Sequence, residues 1–191
     1  MEDDFEVFPV HEFPLDMKLY GSDKFKTPRT ANDKVPIIVL PDSVSRGMTA
    51  FGDKQYLTLA FEDAEPFRNM LVWMSSIIET TKPMFELLRI SSDGVSYEMR
   101  VRIPNEYGVI DMDGKPAHRL HSFTEGSVLR CAIDIPCLWE SATEYGLSAQ
   151  LVQAKIIKSN SMCRILPMDD DDVSEQLTPV AVSTYRPFAD A

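Results

Sequence analysis

Short stretches of the chain alternate apolar and polar residues, which is the period of a β-strand that buries one face. The alternation is clearest in segments 55–61 and 96–104. Continuous apolar runs at 35–40 and 127–139 predict two further strands, the second interrupted by Pro136. The pattern therefore predicts a mainly β protein.

Segment 144–158 predicts the last strand, and its pattern changes phase halfway. Its apolar side chains have odd residue numbers in the first half and even numbers in the second. A bulge near residues 150–152 would keep both sets on one face of the sheet. A helix is the alternative interpretation of these residues, but the β-branched neighbours Ile156 and Ile157 favour a strand.

One helix is predicted, at about 64–82, because apolar residues recur there at helical spacing. Asp63 is a suitable N-cap and Pro66 lies in the first turn. After the helix, the turn sequence SSDG joins segments 84–90 and 96–104 into a predicted hairpin. Several strands in antiparallel hairpins with one inserted helix indicate a small closed or partly open barrel of the OB type.

The two ends of the chain differ in composition from its middle. Residues 1–34 mix aromatics, prolines and charges without a regular period, and we interpret them as an N-terminal arm that docks on the body or on a neighbouring subunit. Residues 35–166 form the predicted barrel domain. Residues 167–191 begin with a run of like charges and are predicted to be an acidic C-terminal tail.

The formal net charge of −11 argues at first against a nucleic-acid partner, because phosphate binding relies on Lys and Arg. The charge is unevenly distributed, however. Residues 35–168 carry 16 acidic and 13 basic side chains, whereas residues 169–191 carry 6 and 1. A basic surface on the central body is therefore compatible with the acidic composition.

Cysteine usage and hydropathy predict the compartment. The three cysteines, Cys131, Cys137 and Cys163, form no CxxC pair, and the first two are too far apart along one predicted strand for a disulfide. The N-terminus shows no apolar run typical of a signal peptide, and no stretch is long enough to span a membrane. We expect an intracellular protein of a reducing compartment, in an infected host cell if it is viral, with no membrane partner.

The common catalytic motifs are absent: the sequence has no phosphate-binding loop, no GxGxxG, no HExxH and no GxSxG. Three sparse arrangements could suggest a metal site, and each lacks the ligand number or spacing that zinc, calcium or a metal nuclease requires. We therefore predict a protein that is not an enzyme and uses no cofactor and no metal. The three arrangements are His118 with His121, Asp111 with Asp113, and Asp42 with Lys155.

Three segments carry a resemblance to a known family: VPIIVLPDSVSRGMTAFGDKQYLTLAF, LRCAIDIPCLW and YGLSAQLVQAKI. They resemble the opening and closing elements of the OB-fold single-stranded-DNA-binding proteins of large eukaryotic DNA viruses and, more distantly, of short-tailed phages. The resemblance covers roughly residues 35–165. It implies sequence-independent binding of single-stranded DNA in replication or recombination.

Such binding needs exposed aromatic rings for base stacking and a line of cations for the phosphates. Arg100 and Arg102 are the leading candidates, because alternate residues of a strand place two charges about 7 Å apart on one face. A solvated strand face is the alternative interpretation of these two residues. We assign Trp139 and Phe61 to the core. The full set of candidates is Phe51, Tyr97 and Tyr107 for stacking, and Arg46, Lys54, Arg100, Arg102, Lys155 and Lys158 for phosphates.

The acidic run at Asp169, Asp170, Asp171 and Asp172 suggests a regulatory tail, which would occupy the cationic surface in the absence of DNA and recruit replication proteins in its presence. A simple solvating run is the alternative. The alternative function for the whole chain is that of a structural or interaction protein, such as a virion or assembly component, whose arm and tail contact neighbours. Either function is compatible with a homo-oligomer.

Overall fold

The computed structural model describes residues 4–22, 25–77, 82–117 and 123–160. These residues contain one α-helix, α1 (Arg68–Ser76), and short 3-10 helices at Val10–Glu12 and Glu65–Phe67. None of the described helices has the length and apolar character needed to cross a membrane. The strands are β1 (Phe5–Pro9), β2 (Lys18–Gly21), β3 (Phe25–Arg29), β4 (Val35–Val39), β5 (Ser43–Phe51), β6 (Lys54–Phe61), β7 (Leu88–Ile90), β8 (Tyr97–Ile103), β9 (Gly108–Ile110), β10 (Val128–Glu140) and β11 (Tyr145–Lys158).

Five strands pair in the cyclic order β5, β6, β8, β11, β10 and back to β5. All neighbours are antiparallel except β8 and β11, which are parallel and joined by the single pair Arg102 and Gln150. The cycle of five strands, which we call the strand ring, is therefore partly open between β8 and β11. The prediction of a mainly β, partly open OB-type fold with one inserted helix is confirmed.

The inserted helix is shorter than the predicted 64–82. A 3-10 turn precedes it, where Asp63 Oδ1 accepts a hydrogen bond from the Glu65 amide (2.9 Å). The α-helix ends at Ser76, whose hydroxyl donates to the Trp73 carbonyl (2.8 Å), and the Ile77 amide donates to the same carbonyl (3.2 Å). Residues 78–81 lie outside the described part of the chain.

The predicted bulge in β11 is confirmed. Ala132 of β10 lies opposite Gln153, and the next residue, Ile133, lies opposite Leu151, so Val152 has no partner of its own. The extra residue restores the inward direction of the apolar side chains. A second irregularity, between Asp134 and Cys137, lets β10 continue through the proline predicted to interrupt it.

The N-terminal residues contain three strands, although the sequence predicts no regular element before residue 35. β1 pairs in parallel with β4, and the β2–β3 hairpin pairs through β3 with β10. Between them, Val10, Phe13 and Met17 are buried in the main core, and the Phe13 ring lies 5.4 Å from that of Trp73. The described part of 1–34 therefore packs on the barrel of its own chain. The predicted tail at 167–191 lies outside the described residues.

Candidate nucleic-acid interface

The outer surface of β6 and β8 carries exposed polar and cationic side chains. In β8, Met99 and Val101 are buried in the core, while Arg100 and Arg102 point outward and are exposed. Directly paired residues share a face of a sheet, so Tyr56, opposite Arg102, and Thr58, opposite Arg100, lie on the same outer surface. We call this surface the β6–β8 face. It consists of Phe51, Lys54, Tyr56, Thr58, Arg100 and Arg102.

One end of the β6–β8 face is formed by the β5–β6 hairpin. Phe51 and Lys54 are opposite one another and flank a two-residue turn in which Gly52 has a φ of +62°. The Phe51 side chain is 81% exposed. A ring so exposed contributes little to the core, and its apolar faces are open to a planar ligand.

Two residues of this region were not predicted from the sequence. Tyr56 is half-buried and stands between Arg102 and Thr49 on the outer face. Gln150 lies opposite Arg102 across the opening of the ring. Alternation with buried Leu57 indicates from the sequence that Tyr56 faces outward. Its position beside Arg102 depends on the register of β6 against β8, which the sequence does not show.

Arg46 is engaged at the border of the β6–β8 face. Its guanidinium contacts Asp93 Oδ2 (3.2 Å) and lies 3.9 Å from Glu98 Oε1. Hydrogen bonds from the backbone amides of Ser96 and Val95 hold the pKa of Asp93 at about 2, with a smaller contribution from Arg46. Arg46 therefore offsets two acids, one of which, Glu98, lies in the same strand as Arg100.

The structure does not bring Tyr97 and Tyr107 to the β6–β8 face. Tyr97 has the inward parity of β8 and lines a shallow depression beside α1 together with Arg68. The Tyr107 ring stacks on Phe123, with 5.8 Å between centroids and 29° between planes, and packs against the main core. Their positions at or near the ends of strands left their orientation undetermined by alternation.

Lys155 and Lys158 also lie apart from this face. Lys155 is beyond the bulge of β11, where its neighbours in register are Arg130 and Ile110. Lys158 is exposed at the end of β11, opposite Val128. Neither residue pairs with β6 or β8. Of the nine candidates, four lie on the β6–β8 face, Arg46 lies at its border, and the other four lie elsewhere. The four on the face are Phe51, Lys54, Arg100 and Arg102. The acidic run at 169–172 lies outside the described residues.

The assignment of Trp139 to the core was wrong, whereas that of Phe61 is confirmed. Trp139 is half-buried and belongs to neither of the two hydrophobic clusters that the described residues form. The register irregularity in β10 puts Leu138 into the core and its neighbour Trp139 onto the outside. Its ring contacts that of Phe85, with 5.8 Å between centroids.

Asp134 lies on the outer side of β10, between Gln150 of β11 and Ile37 of β4. Its Oδ1 is enclosed and has no hydrogen-bond partner among the described residues. Burial raises the pKa of Asp134 from 3.8 to about 6. The folded protein thus holds this proton more tightly than the unfolded chain does, and the resulting stability is present below about pH 4 and lost as pH rises through about 6.

We expect Asp134→Asn to raise the free energy of unfolding at pH 8 by about 1–3 kcal/mol, because the amide removes the buried charge. The gain should shrink toward pH 4, because the carboxyl group of Asp134 is then protonated and uncharged in the folded unaltered protein. Urea denaturation at the two pH values measures both effects. An equal change at the two pH values would show that the carboxylate is not the cause.

The described residues contain no group of three or more His, Cys, Asp or Glu side chains placed to hold a metal ion. His118 and His121 lie outside the described residues, and Asp42 is bonded to Arg130 through a 2.8 Å ion pair.

Comparison with known proteins yields similarity of fold. No protein-family model matches the sequence, and no curated protein sequence does so either. The structure is similar to that of the single-stranded DNA-binding protein from bacteriophage Enc34, with a TM-score of 0.53 and 11% identity over 81% of this chain and 99% of the phage chain. A C-terminally truncated form of that protein matches with a TM-score of 0.51 and 9% identity over 76% and 96% of the two chains.

A single-stranded DNA-binding protein encoded by bacteriophage T7 has a TM-score of 0.47 and 11% identity, over 73% of this chain and 98% of the phage chain. The resemblance to proteins of large eukaryotic DNA viruses stays a prediction.

Proposed function

We propose that this chain is a non-catalytic protein that binds single-stranded DNA independently of sequence through the β6–β8 face. The observation that carries the proposal is the placement of exposed Arg100 and Arg102 beside Tyr56 on the outer wall of an OB-type ring, with exposed Phe51 at one end. In OB folds this wall, formed by the second and third strands of the barrel, is the usual site for oligonucleotides. The fold shared with the Enc34 protein, whose name describes single-stranded-DNA binding, supports the same function.

The residues of this face suit a single strand better than a duplex. Bases of a single strand are free to stack on Phe51 and Tyr56, whereas those of a duplex are stacked on one another. Arg100 and Arg102 can follow the phosphates, and Gln150 and Thr58 can donate hydrogen bonds to them. Stacking and phosphate contacts do not read base identity, so we expect little sequence preference.

The acidic tail has a place in this proposal. Asp169, Asp170, Asp171 and Asp172 would compete with weak ligands for Arg100 and Arg102 and become available to replication proteins when DNA binds. We propose that this binding serves DNA replication or recombination inside a cell. The alternative of an assembly component gains no support from the described part of residues 1–34, which packs on its own barrel.

Fluorescence titration with labelled oligo-dT at about 0.05 M and about 0.2 M salt tests the proposal. We expect affinity to fall steeply between the two concentrations, because each phosphate contact releases counterions. Removal of residues 167–191 should strengthen binding most at the lower salt. Equal affinity at both salt concentrations, or no binding at the lower one, would rule out the proposed function.

A further inference from the structure

Three aromatic residues outside the β6–β8 face lie next to one another near the β10–β11 turn. Trp139 lies opposite Phe25 of β3, and its ring is 5.8 Å from that of Phe85. Phe25 is 59% exposed, and the other two are half-buried. None of the three belongs to either hydrophobic cluster. We call Phe25, Phe85 and Trp139 the aromatic cluster. The exposed Phe25 ring adds little to the core of the barrel.

The aromatic cluster is built on a residue that has no side chain. Gly146 lies opposite Trp139 in β11, and a Cβ atom there would be 2.8 Å from Trp139 Cζ2 and 3.0 Å from Phe85 Cβ. The Trp139 ring and the Phe85 Cβ atom therefore both pack directly over the β11 backbone. Lys82 Nζ binds Glu140 Oε1 (2.6 Å) and the Ser141 carbonyl (2.7 Å), which holds the start of the adjoining turn. Trp139 and Phe85 thus lie against the backbone of β11, next to the Lys82–Glu140 ion pair.

Segment 84–90 connects this cluster to the β6–β8 face. At one end the Phe85 amide donates to the Tyr145 carbonyl of β11 (2.6 Å), and at the other Arg89 of β7 lies opposite Glu98 of β8. Since paired residues share a face, Arg89 is on the same outer side as Arg100. Its guanidinium lies 4.9 Å from the centre of the Phe85 ring. Cations and rings therefore continue from β8 to the aromatic cluster.

We propose that the aromatic cluster with Arg89 is a second base-stacking subsite for the single strand that crosses the β6–β8 face. Phe25 offers the exposed ring, its strand neighbour Trp139 contacts the Phe85 ring, and the planar guanidinium of Arg89 provides a further stacking surface with positive charge. This inference rests on the proposed function and adds to it that the β2–β3 hairpin of the N-terminal segment belongs to the binding site.

The chemistry of the cluster favours nucleic acid over a protein partner. A stacked pair of arginine and aromatic ring is suited to planar bases and phosphates. Two acids near the cluster are already engaged: Glu98, opposite Arg89, accepts a hydrogen bond from Ser91 (2.8 Å), and Glu140 binds Lys82 (2.6 Å). The cluster is also continuous with the proposed phosphate contacts on β8. A purely apolar peptide-binding groove would not place a guanidinium over one of its rings.

Strand length separates the two subsites experimentally. Oligo-dT of about 6 nucleotides is long enough for the β6–β8 face, and a strand of about 20 exceeds the site size of an OB fold. In Phe25→Ala we expect affinity for the long strand to fall about 5- to 150-fold, as for the loss of one stacked base, and affinity for the short strand to stay unchanged. Phe25→Tyr keeps the ring and should bind the long strand like the unaltered protein. Leu15→Ala, at another exposed apolar residue (54%), is the matched control.

Tryptophan fluorescence gives an independent measurement. Of the two tryptophans, Trp73 is fully buried and only Trp139 is in reach of a ligand. The long strand should quench the emission more than the short one, and Trp139→Phe should abolish that difference. Unchanged long-strand affinity in Phe25→Ala, or an equal loss for both strand lengths, would overturn the second subsite. Absence of binding by the unaltered protein would instead overturn the proposed function itself.

Discussion

Replacing both Arg100 and Arg102 by alanine is expected to weaken oligo-dT binding on the order of 10- to 100-fold at moderate salt, because two charged contacts to phosphates are lost. Both side chains are exposed on one face of β8 and have no ion pair among the described residues. The slope of log affinity against log salt should decrease by about 1.4, or about 0.7 for each single-strand contact. Titrations over a series of salt concentrations measure both quantities.

The matched control is Arg68→Ala with Lys115→Ala. It removes the same net charge from exposed residues of α1 and of the turn after β9. If binding depends on the place of the charges, this variant should keep its affinity and its salt slope. The same loss in both double variants would show that net charge, and not the β6–β8 face, determines binding.

Replacing Phe13 by alanine is expected to lower the free energy of unfolding by about 3–5 kcal/mol. Phe13 is 2% exposed, and its ring packs against that of Trp73, which is a fully buried residue of α1. The cavity left by the ring would lie between the N-terminal segment and the helix, where neither can close it alone. Urea denaturation followed by far-UV circular dichroism measures the change.

Leu15→Ala serves as the control for this change, because Leu15 is two residues away and 54% exposed. We expect it to alter the free energy of unfolding by less than about 0.5 kcal/mol. An equally small effect of Phe13→Ala would mean that the N-terminal segment is dispensable for the core. The packing of residues 10–17 on α1 would then contribute nothing to the free energy of unfolding.

Alternation along single strands allowed much of the fold to be predicted. The outward direction of Arg100 and Arg102 follows from their position between Met99, Val101 and Ile103, which a period of two places on the opposite face. The bulge in β11 followed in the same way from a change of parity. These features depend on neighbours in the sequence, so they do not require knowledge of which strands pair.

Features that depend on distant partners could not be predicted in this way. β1 and β3 are short and contain prolines, and their pairing partners, β4 and β10, lie far along the chain. Trp139 has the sequence context of a buried residue, and only the irregularity of β10 turns it outward. Tyr56 joined the candidate face because β6 pairs with β8 in a particular register.

The attachment sites of a photo-activated oligo-dT strand test the central claim most directly. Mass spectrometry of the crosslinked chain identifies the residues that bases touch. We expect attachment at Phe51 and Tyr56, the rings on and beside the wall that carries Arg100 and Arg102. Attachment confined to α1, or to the strand end that carries Lys155 and Lys158, would contradict the account.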